Sequence, residues 1–300
     1  MATAVCACSS AAIDGVCRAD APAGLAGQSY QRINDIQYAE VDGHKLLLDL
    51  YLPTQVANPP LVVWVHGGAW RHGSRSGMPL RDVVRSGFAV ASVDYRLSPV
   101  ARFPAQIHDC KAAIRFLRAS ARKYGFDATR VGVAGSSAGG HLAALIGVTN
   151  DHEALEGDVG RQGEQSSAVQ AIVDYFGPTN FMTILKQSTP HGLGVRVPAL
   201  ELLLGGQPDE KTELAELASP VVHVDRNDPP LLMLHGDQDP QVPINQSHEL
   251  HAAYKERQLT VHFEVVHGAA HGGKAFFDER RTRLVTEFFE KHLRAHAKSE

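Results

Sequence analysis

The sequence has little of what marks a specialised chain. Only four cysteines occur among 300 residues, Cys6, Cys8, Cys17 and Cys110, and three of them fall within the first 17 positions. No Cys-x-x-Cys pair faces a second one, so a cysteine-built metal centre is excluded and neither metal nor cofactor is expected. Pairing among Cys6, Cys8 and Cys17 stays open, whereas Cys110 lies in a helical apolar pattern and reads as a small core residue. Neither sign of charge dominates. Lys plus Arg is 29 and Asp plus Glu is 33, a net charge of -4. That balance gives no basic footprint for nucleic acid and no polybasic patch for a membrane surface. No apolar run approaches the roughly 20 residues that span a bilayer. The N-terminus lacks a basic start followed by a long apolar stretch, so the default expectation is a cytoplasmic chain, with secretion of a processed form left open.

What is present is ordinary globular material. Apolar residues make up 44% and charged residues 21%, and this length suits one large α/β domain or two small ones. Residues 1–28 are rich in Ala, Ser, Gly and Cys without periodicity and read as a flexible tail, leaving 29–300 as a single domain. Two β-like runs, Arg32–Glu40 and His44–Leu52, flank Asp42-Gly43, a pair suited to a tight hairpin turn. Thereafter come continuous apolar runs at Leu61–Val65, Phe88–Val93, Val131–Ala134, Ala171–Val173, Leu231–Leu234 and Val261–Val266. Runs without alternation suit strands covered on both faces, as in a parallel sheet. Helical patterns lie between them, at Ile107–Tyr124, Ala138–Val148 and Ile244–Arg257, with Lys274–His296 as one long closing helix. The fold class predicted is α/β, a mostly parallel sheet flanked by helices behind an N-terminal antiparallel hairpin. Segments 149–170 and 180–215 lack a clear pattern and are candidates for a small cap insertion.

Four motifs carry chemistry. Gly135-Ser136-Ser137-Ala138-Gly139 follows a strand-like run and opens a helix, the context in which G-x-S-x-G presents a nucleophilic serine, Ser137. His66-Gly67-Gly68-Ala69-Trp70 follows another strand. Its glycines let backbone N–H groups turn toward a substrate oxygen, so Gly67 and Gly68, with the Ala138 N–H, are the expected oxyanion hole. His235-Gly236-Asp237-Gln238-Asp239-Pro240-Gln241-Val242-Pro243 supplies an acid; Asp239, further beyond the strand, is favoured over Asp237, which would brace the loop. His267-Gly268-Ala269-Ala270-His271-Gly272-Gly273 supplies the base, and His271, mid-loop beside two glycines, is favoured over His267. The order Ser, Asp, His supports that choice among the 16 histidines. Trp70, Phe176 and Phe181 are candidates for substrate binding, with core packing as the alternative for the two phenylalanines. Asp94-Tyr95-Arg96 is read as a loop brace, and His141 as a packed helix residue.

Together with Asp94-Tyr95-Arg96-Leu97-Ser98-Pro99 and Gly140-His141-Leu142, these motifs make the chain from about Tyr30 to His296 resemble the α/β-hydrolase esterases and lipases, of the hormone-sensitive-lipase-like and feruloyl-esterase-like kind. The resemblance implies an eight-stranded sheet and no metal or cofactor. It also implies Ser137 as nucleophile, Asp239 as orienting acid, His271 as base, and Gly67, Gly68 and Ala138 at the oxyanion positions. Ser136 departs from the acidic residue that many hormone-sensitive-lipase-like members carry before the nucleophile, and the Asp-x-Asp-Pro-x-Val-Pro loop is closer to carbohydrate-ester and peptidase-like branches. The expected activity is serine carboxylesterase action on a small-molecule ester, short-chain or aryl/carbohydrate, with oligomeric state open. The alternatives are an amidase such as an arylformamidase, a peptidase, and a non-catalytic binding protein of the same fold.

Overall fold

The computed structural model describes residues 29–150 and 152–294. The expected tail over 1–28, with Cys6, Cys8 and Cys17, lies outside the described residues.

Eight strands form one sheet: β1 (Tyr30–Val41), β2 (His44–Pro53), β3 (Pro60–Val65), β4 (Ala89–Val93), β5 (Asp127–Ser136), β6 (Ala171–Tyr175), β7 (Leu231–Gly236) and β8 (Val261–Val266). Their spatial order is β1-β2-β4-β3-β5-β6-β7-β8. The first two strands pair antiparallel through the Asp42-Gly43 turn, where φ is 50° and 78°, as such a turn demands. β2 meets β4 antiparallel, and β4, β3, β5, β6, β7 and β8 run parallel.

The continuous apolar runs are explained by burial on both faces. Successive side chains of a strand point to opposite faces. Leu61, Val63 and Val65 of β3 join one core with Val131, Val133 and Met233, while Val62 and Trp64 join another with Ala134, Val173 and Leu232. Helices supply the cover: α1 (Arg81–Arg85), α2 (Ala105–Tyr124), α3 (Ala138–Val148), α4 (Glu153–Glu156), α5 (Phe181–Gln187), α6 (Pro190–Leu204), α7 (Thr212–Leu217), α8 (Pro220–His223), α9 (Asn245–Glu256) and α10 (Glu279–Phe289). Cys110, on α2, is fully buried in the first core.

One element differs from expectation. The stretch from Lys274 is not a single helix but a short 3-10 turn (Lys274–Phe277), then α10, then a π turn over Glu290–Arg294. Asp278 makes the break: its carboxylate accepts from the Arg281 N–H at 2.8 Å and so caps a new helix start. The two irregular segments also resolve into structure. Residues 149–170 are tied to α2 by Glu156, which accepts from Lys111 and Arg115. Residues 180–215 fold as α5, α6 and the start of α7.

Candidate active site

The ends of β3, β5, β7 and β8 lie at the carboxyl edge of the parallel sheet, where open α/β sheets gather their ligands. β5 ends at Ser136 and α3 begins at Ala138, so a single residue, Ser137, turns the chain from strand to helix. Its φ of 55° and ψ of -120° are unfavourable for a residue with a Cβ. The turn is held from both sides, by the Ser137 N–H donating to the Tyr175 carbonyl at 2.8 Å and the His141 N–H donating to the Ser137 carbonyl at 2.9 Å. The flanking glycines are sterically required. A Cβ on Gly135 would strike the Gly139 backbone, and one on Gly139 would strike the carbonyls of Val65 and His66.

His271 Nε2 lies 2.9 Å from Ser137 Oγ, and its Nδ1 lies 2.6 Å from Asp239 Oδ2. An ionised Asp239 makes Nδ1 the protonated nitrogen, which leaves Nε2 free to accept the serine proton. The other oxygen, Oδ1, accepts from the N–H groups of Gln241 at 2.8 Å and Val242 at 2.9 Å. Burial by itself would raise the Asp239 carboxyl. Hydrogen bonds from His235 and His271, the charge of His271 and the Val242 N–H outweigh it and hold the group well below the usual carboxylate range. Asp237 does brace the loop: it accepts from the Gly268 N–H at 2.8 Å and pairs with His267 at 2.8 Å, so the two acidic residues and the two histidines divide the work between them.

The His66–Trp70 loop sits against Ser137. A Cβ on Gly67 would come within 2.7 Å of the Ser136 carbonyl and 3.3 Å of Ser137 Cβ. Gly68, Ala69 and Trp70 all have positive φ, 116°, 52° and 57°. This coil is fixed by its neighbours: the Arg71 N–H donates to the Gly68 carbonyl, the Ser98 N–H to the Trp70 carbonyl at 2.7 Å, and the Tyr95 hydroxyl to the His66 carbonyl at 3.0 Å. Arg96 forks onto Asp109, and Asp94 receives Arg75, so Asp94-Tyr95-Arg96 is the brace behind the loop. Burial depresses the pKa of His66, and its Nδ1–H donates to the Gly67 carbonyl at 2.7 Å.

Of the three aromatic candidates for substrate binding, one reaches the site. The Phe176 ring lies 4.8 Å from that of His271, edge to face. Trp70 and Phe181 are corrected to packing residues, because they are 0% and 1% exposed and meet edge to face, their ring centroids 5.4 Å apart. Trp70 Nε1–H donates to His141 Nδ1 at 3.2 Å, and His141 Nε2–H donates to the Ala218 carbonyl at 2.7 Å. Two residues carry more weight than their sequence context suggested. His235 lies within the acidic loop motif but shows no pattern that assigns it a role; its Nε2 sits 3.2 Å from Asp239 Oδ2. Arg196 lies in a segment without periodic signal and is buried against Trp70, its guanidinium carbon 5.8 Å from the ring centroid. Among the described residues, no cluster of three or more His, Cys, Asp or Glu could hold a metal ion, and no helix is long and apolar enough to cross a membrane.

Known proteins resemble this chain in sequence and fold. The BD-FAE family matches residues 48–254. Esterase LipC of Mycobacterium tuberculosis is 36% identical over 209 residues, covering 67% of this chain and 50% of that protein. Esterase LipQ of the same organism is 32% identical over 267 residues, 85% of this chain and 60% of that one. The chain thus spans about half to three-fifths of the length of these relatives. Among solved structures, a truncated carbohydrate esterase from gut microbiota superposes with a TM-score of 0.79 at 33% identity, over 90% of this chain and 99% of the other. A bifunctional GH43-CE protein of Bacteroides eggerthii gives 0.77 at 35% identity, over 87% of this chain and 35% of its own. The chain belongs to the BD-FAE family of α/β-hydrolase esterases.

Proposed function

We propose that the protein is a serine carboxylesterase that cleaves short acyl or aryl esters of small molecules, carbohydrate esters included, through an acyl-enzyme. The observation that carries the reading is the relay from Ser137 Oγ through His271 to Asp239, with links of 2.9 and 2.6 Å. His271 Nε2 takes the hydroxyl proton as Ser137 Oγ bonds to the ester carbonyl carbon. The carbonyl oxygen becomes an oxyanion beside the N–H groups of Gly67, Gly68 and Ala138. Collapse breaks the ester C–O bond, and His271 returns its proton to the leaving alcohol. Water then repeats the sequence: it loses a proton to His271, attacks the acyl carbon, and releases the acid and Ser137. Asp239 stays ionised throughout and stabilises the imidazolium.

The likeness to a carbohydrate esterase, at 33% identity over nearly that whole chain, supports sugar esters as the alcohol side. The deciding experiment is hydrolysis of p-nitrophenyl acetate, butyrate, octanoate and laurate by wild type and Ser137→Ala. Turnover weighted to short chains and lost in the variant supports the proposal. Turnover that survives Ser137→Ala removes it.

A further inference from the structure

The first turn of α6 rests on the acid loop. Thr189 Oγ1–H donates to the Pro240 carbonyl at 2.8 Å, and a Cβ on Gly192 would lie 3.0 Å from that oxygen and 3.1 Å from the Gln241 carbonyl. Arg196 is four residues on, and therefore on the same helix face. It is 1% exposed, and it lies against Trp70, two residues beyond Gly68. Its guanidinium is thus set between the oxyanion loop and the acid loop.

Among the described residues no carboxylate pairs with this cation. Nε and Nη1 are buried without a hydrogen-bond acceptor. The carboxylate whose field reaches it is that of Asp239, and the other charge acting on it is the repulsive Arg71. Asp239 cannot serve it. Oδ2 already accepts from His271 and faces His235, and Oδ1 accepts from two backbone N–H groups. Burial pushes the guanidinium down to about 10, which leaves it charged at neutral pH. Buried charges are otherwise paired, because an unpaired one forfeits its hydration with no return. Nε and Nη1 are thus left as a planar pair of donors, a geometry that fits a carboxylate.

We infer that Arg196, aided by Arg71, binds a carboxylate carried by the ester substrate. The inference rests on the esterase reading and narrows it to anionic esters. Two sources give that chemistry: a dicarboxylic acyl group esterified at one end, or an acylated sugar acid in which the carboxylate sits on the alcohol side.

The test compares kcat/KM within two matched pairs. One pair is the p-nitrophenyl half-ester of glutaric acid against p-nitrophenyl butyrate. The other is acetylated methyl glucuronoside against acetylated methyl glucoside. Wild type is expected to favour the anionic member of one pair by about tenfold or more, and the pair that responds identifies the source. Arg196→Met should bring that ratio down to near one, with Arg196→Lys in between. A wild-type ratio near one in both pairs, or a preference that survives in Arg196→Met, overturns the inference and leaves Arg196 as a prop for Trp70. Should wild type cleave none of these esters, the esterase reading fails separately. Calorimetry of glutarate and glucuronate binding to Ser137→Ala, with and without Arg196→Met, then reads the subsite directly. Binding that the second substitution abolishes supports it, and absence of binding to Ser137→Ala overturns it.

Discussion

His235 Nε2 lies 3.2 Å from Oδ2 of Asp239, the same oxygen that receives His271 Nδ1–H. Its proton is shared with the Val242 carbonyl at 3.0 Å, and its Nδ1 accepts from Ser247 at 2.7 Å. A fully buried imidazole thus fixes the acid loop and the acid together. Since hydrogen bonds to charged groups are worth about 1.5–3 kcal/mol, His235→Phe should lower kcat by about tenfold or more with little change in KM. His235→Gln, which keeps a donor near the carboxylate, should recover part of the loss. Asp239→Asn should be far worse, about 10³–10⁴-fold in kcat, because it also destroys the tautomer preference of His271. Wild-type kcat in His235→Phe would show that the second imidazole serves packing alone.

Gly68 combines a φ of 116° with a backbone crowded enough that a Cβ would meet the His72 carbonyl. Gly68→Ala therefore has to displace the coil that carries the Gly67 and Gly68 N–H groups. Loss of an oxyanion donor typically lowers kcat by about 100–1000-fold, and a loss in that range is expected at temperatures where the variant, whose melting temperature the clash lowers, is still folded. Gly43→Ala is the comparison. It too has positive φ, 78°, but lies in the β1–β2 turn with open space around it, so it should leave kcat alone. Equal kcat for Gly68→Ala and wild type would remove this loop from the chemistry.

How much of this could be read in advance depended on what kind of signal each residue leaves. The six parallel strands were legible because burial on both faces writes itself as unbroken apolar runs, as at Leu61–Val65. Ser137 was legible because Gly135 and Gly139 are forced by backbone contacts, so that geometry is encoded at fixed offsets. Asp239 and His271 could be ranked against Asp237 and His267 by loop position and by the order Ser, Asp, His, and the structure brings the ranked pair together. Roles that arise from long-range contact leave no such trace. Trp70 looked like a pocket residue because it follows the oxyanion glycines, but a positive φ at that position turns its ring inward onto His141. Arg196 meets Trp70 and the acid loop only after α6 has folded across them. The helix break at Asp278 was a capping event hidden by the apolar spacing around it.

Arg96 and Asp109 form a forked pair behind the His66–Trp70 loop. Arg96 Nη2 lies 2.7 Å from Oδ1, Nε lies 2.9 Å from Oδ2, and the Arg96 N–H donates to Oδ2 at 2.8 Å. Asp109 is completely buried and Arg96 nearly so, at 13% exposure of its side chain. Removing one partner strands the other charge, which typically destabilises by about 3–5 kcal/mol. Asp109→Ala should therefore lower urea stability by an amount in that range and reduce expression before it touches catalysis. A loss below about 1 kcal/mol, the scale of an exposed pair, would show that water reaches Arg96.

His141 links catalytic architecture to pH through stability. Its ring accepts from Trp70 Nε1–H and donates to the Ala218 carbonyl, so only the neutral form fits, and burial pushes its pKa down to about 4 against partial opposition from the Ala218 carbonyl. Above the ordinary imidazole value of about 6.5, folded and unfolded chains are both neutral here, and the residue adds no pH dependence. As the pH falls from there toward 4, the unfolded chain takes up a proton that the folded chain refuses, and stability declines; below 4 both bind it and the decline stops. At about 1.4 kcal/mol per pKa unit the full effect is on the order of 3 kcal/mol. Urea unfolding of wild type at pH 7.5, 6 and 4.5 will also carry contributions from other groups, among them His66 and His223, whose values burial likewise lowers. Those cancel in the difference from His141→Gln, which can accept from Trp70 and donate to Ala218 without titrating. The variant should lose markedly less stability than wild type between pH 7.5 and 4.5, and parallel declines would mean that His141 is protonated in the fold after all.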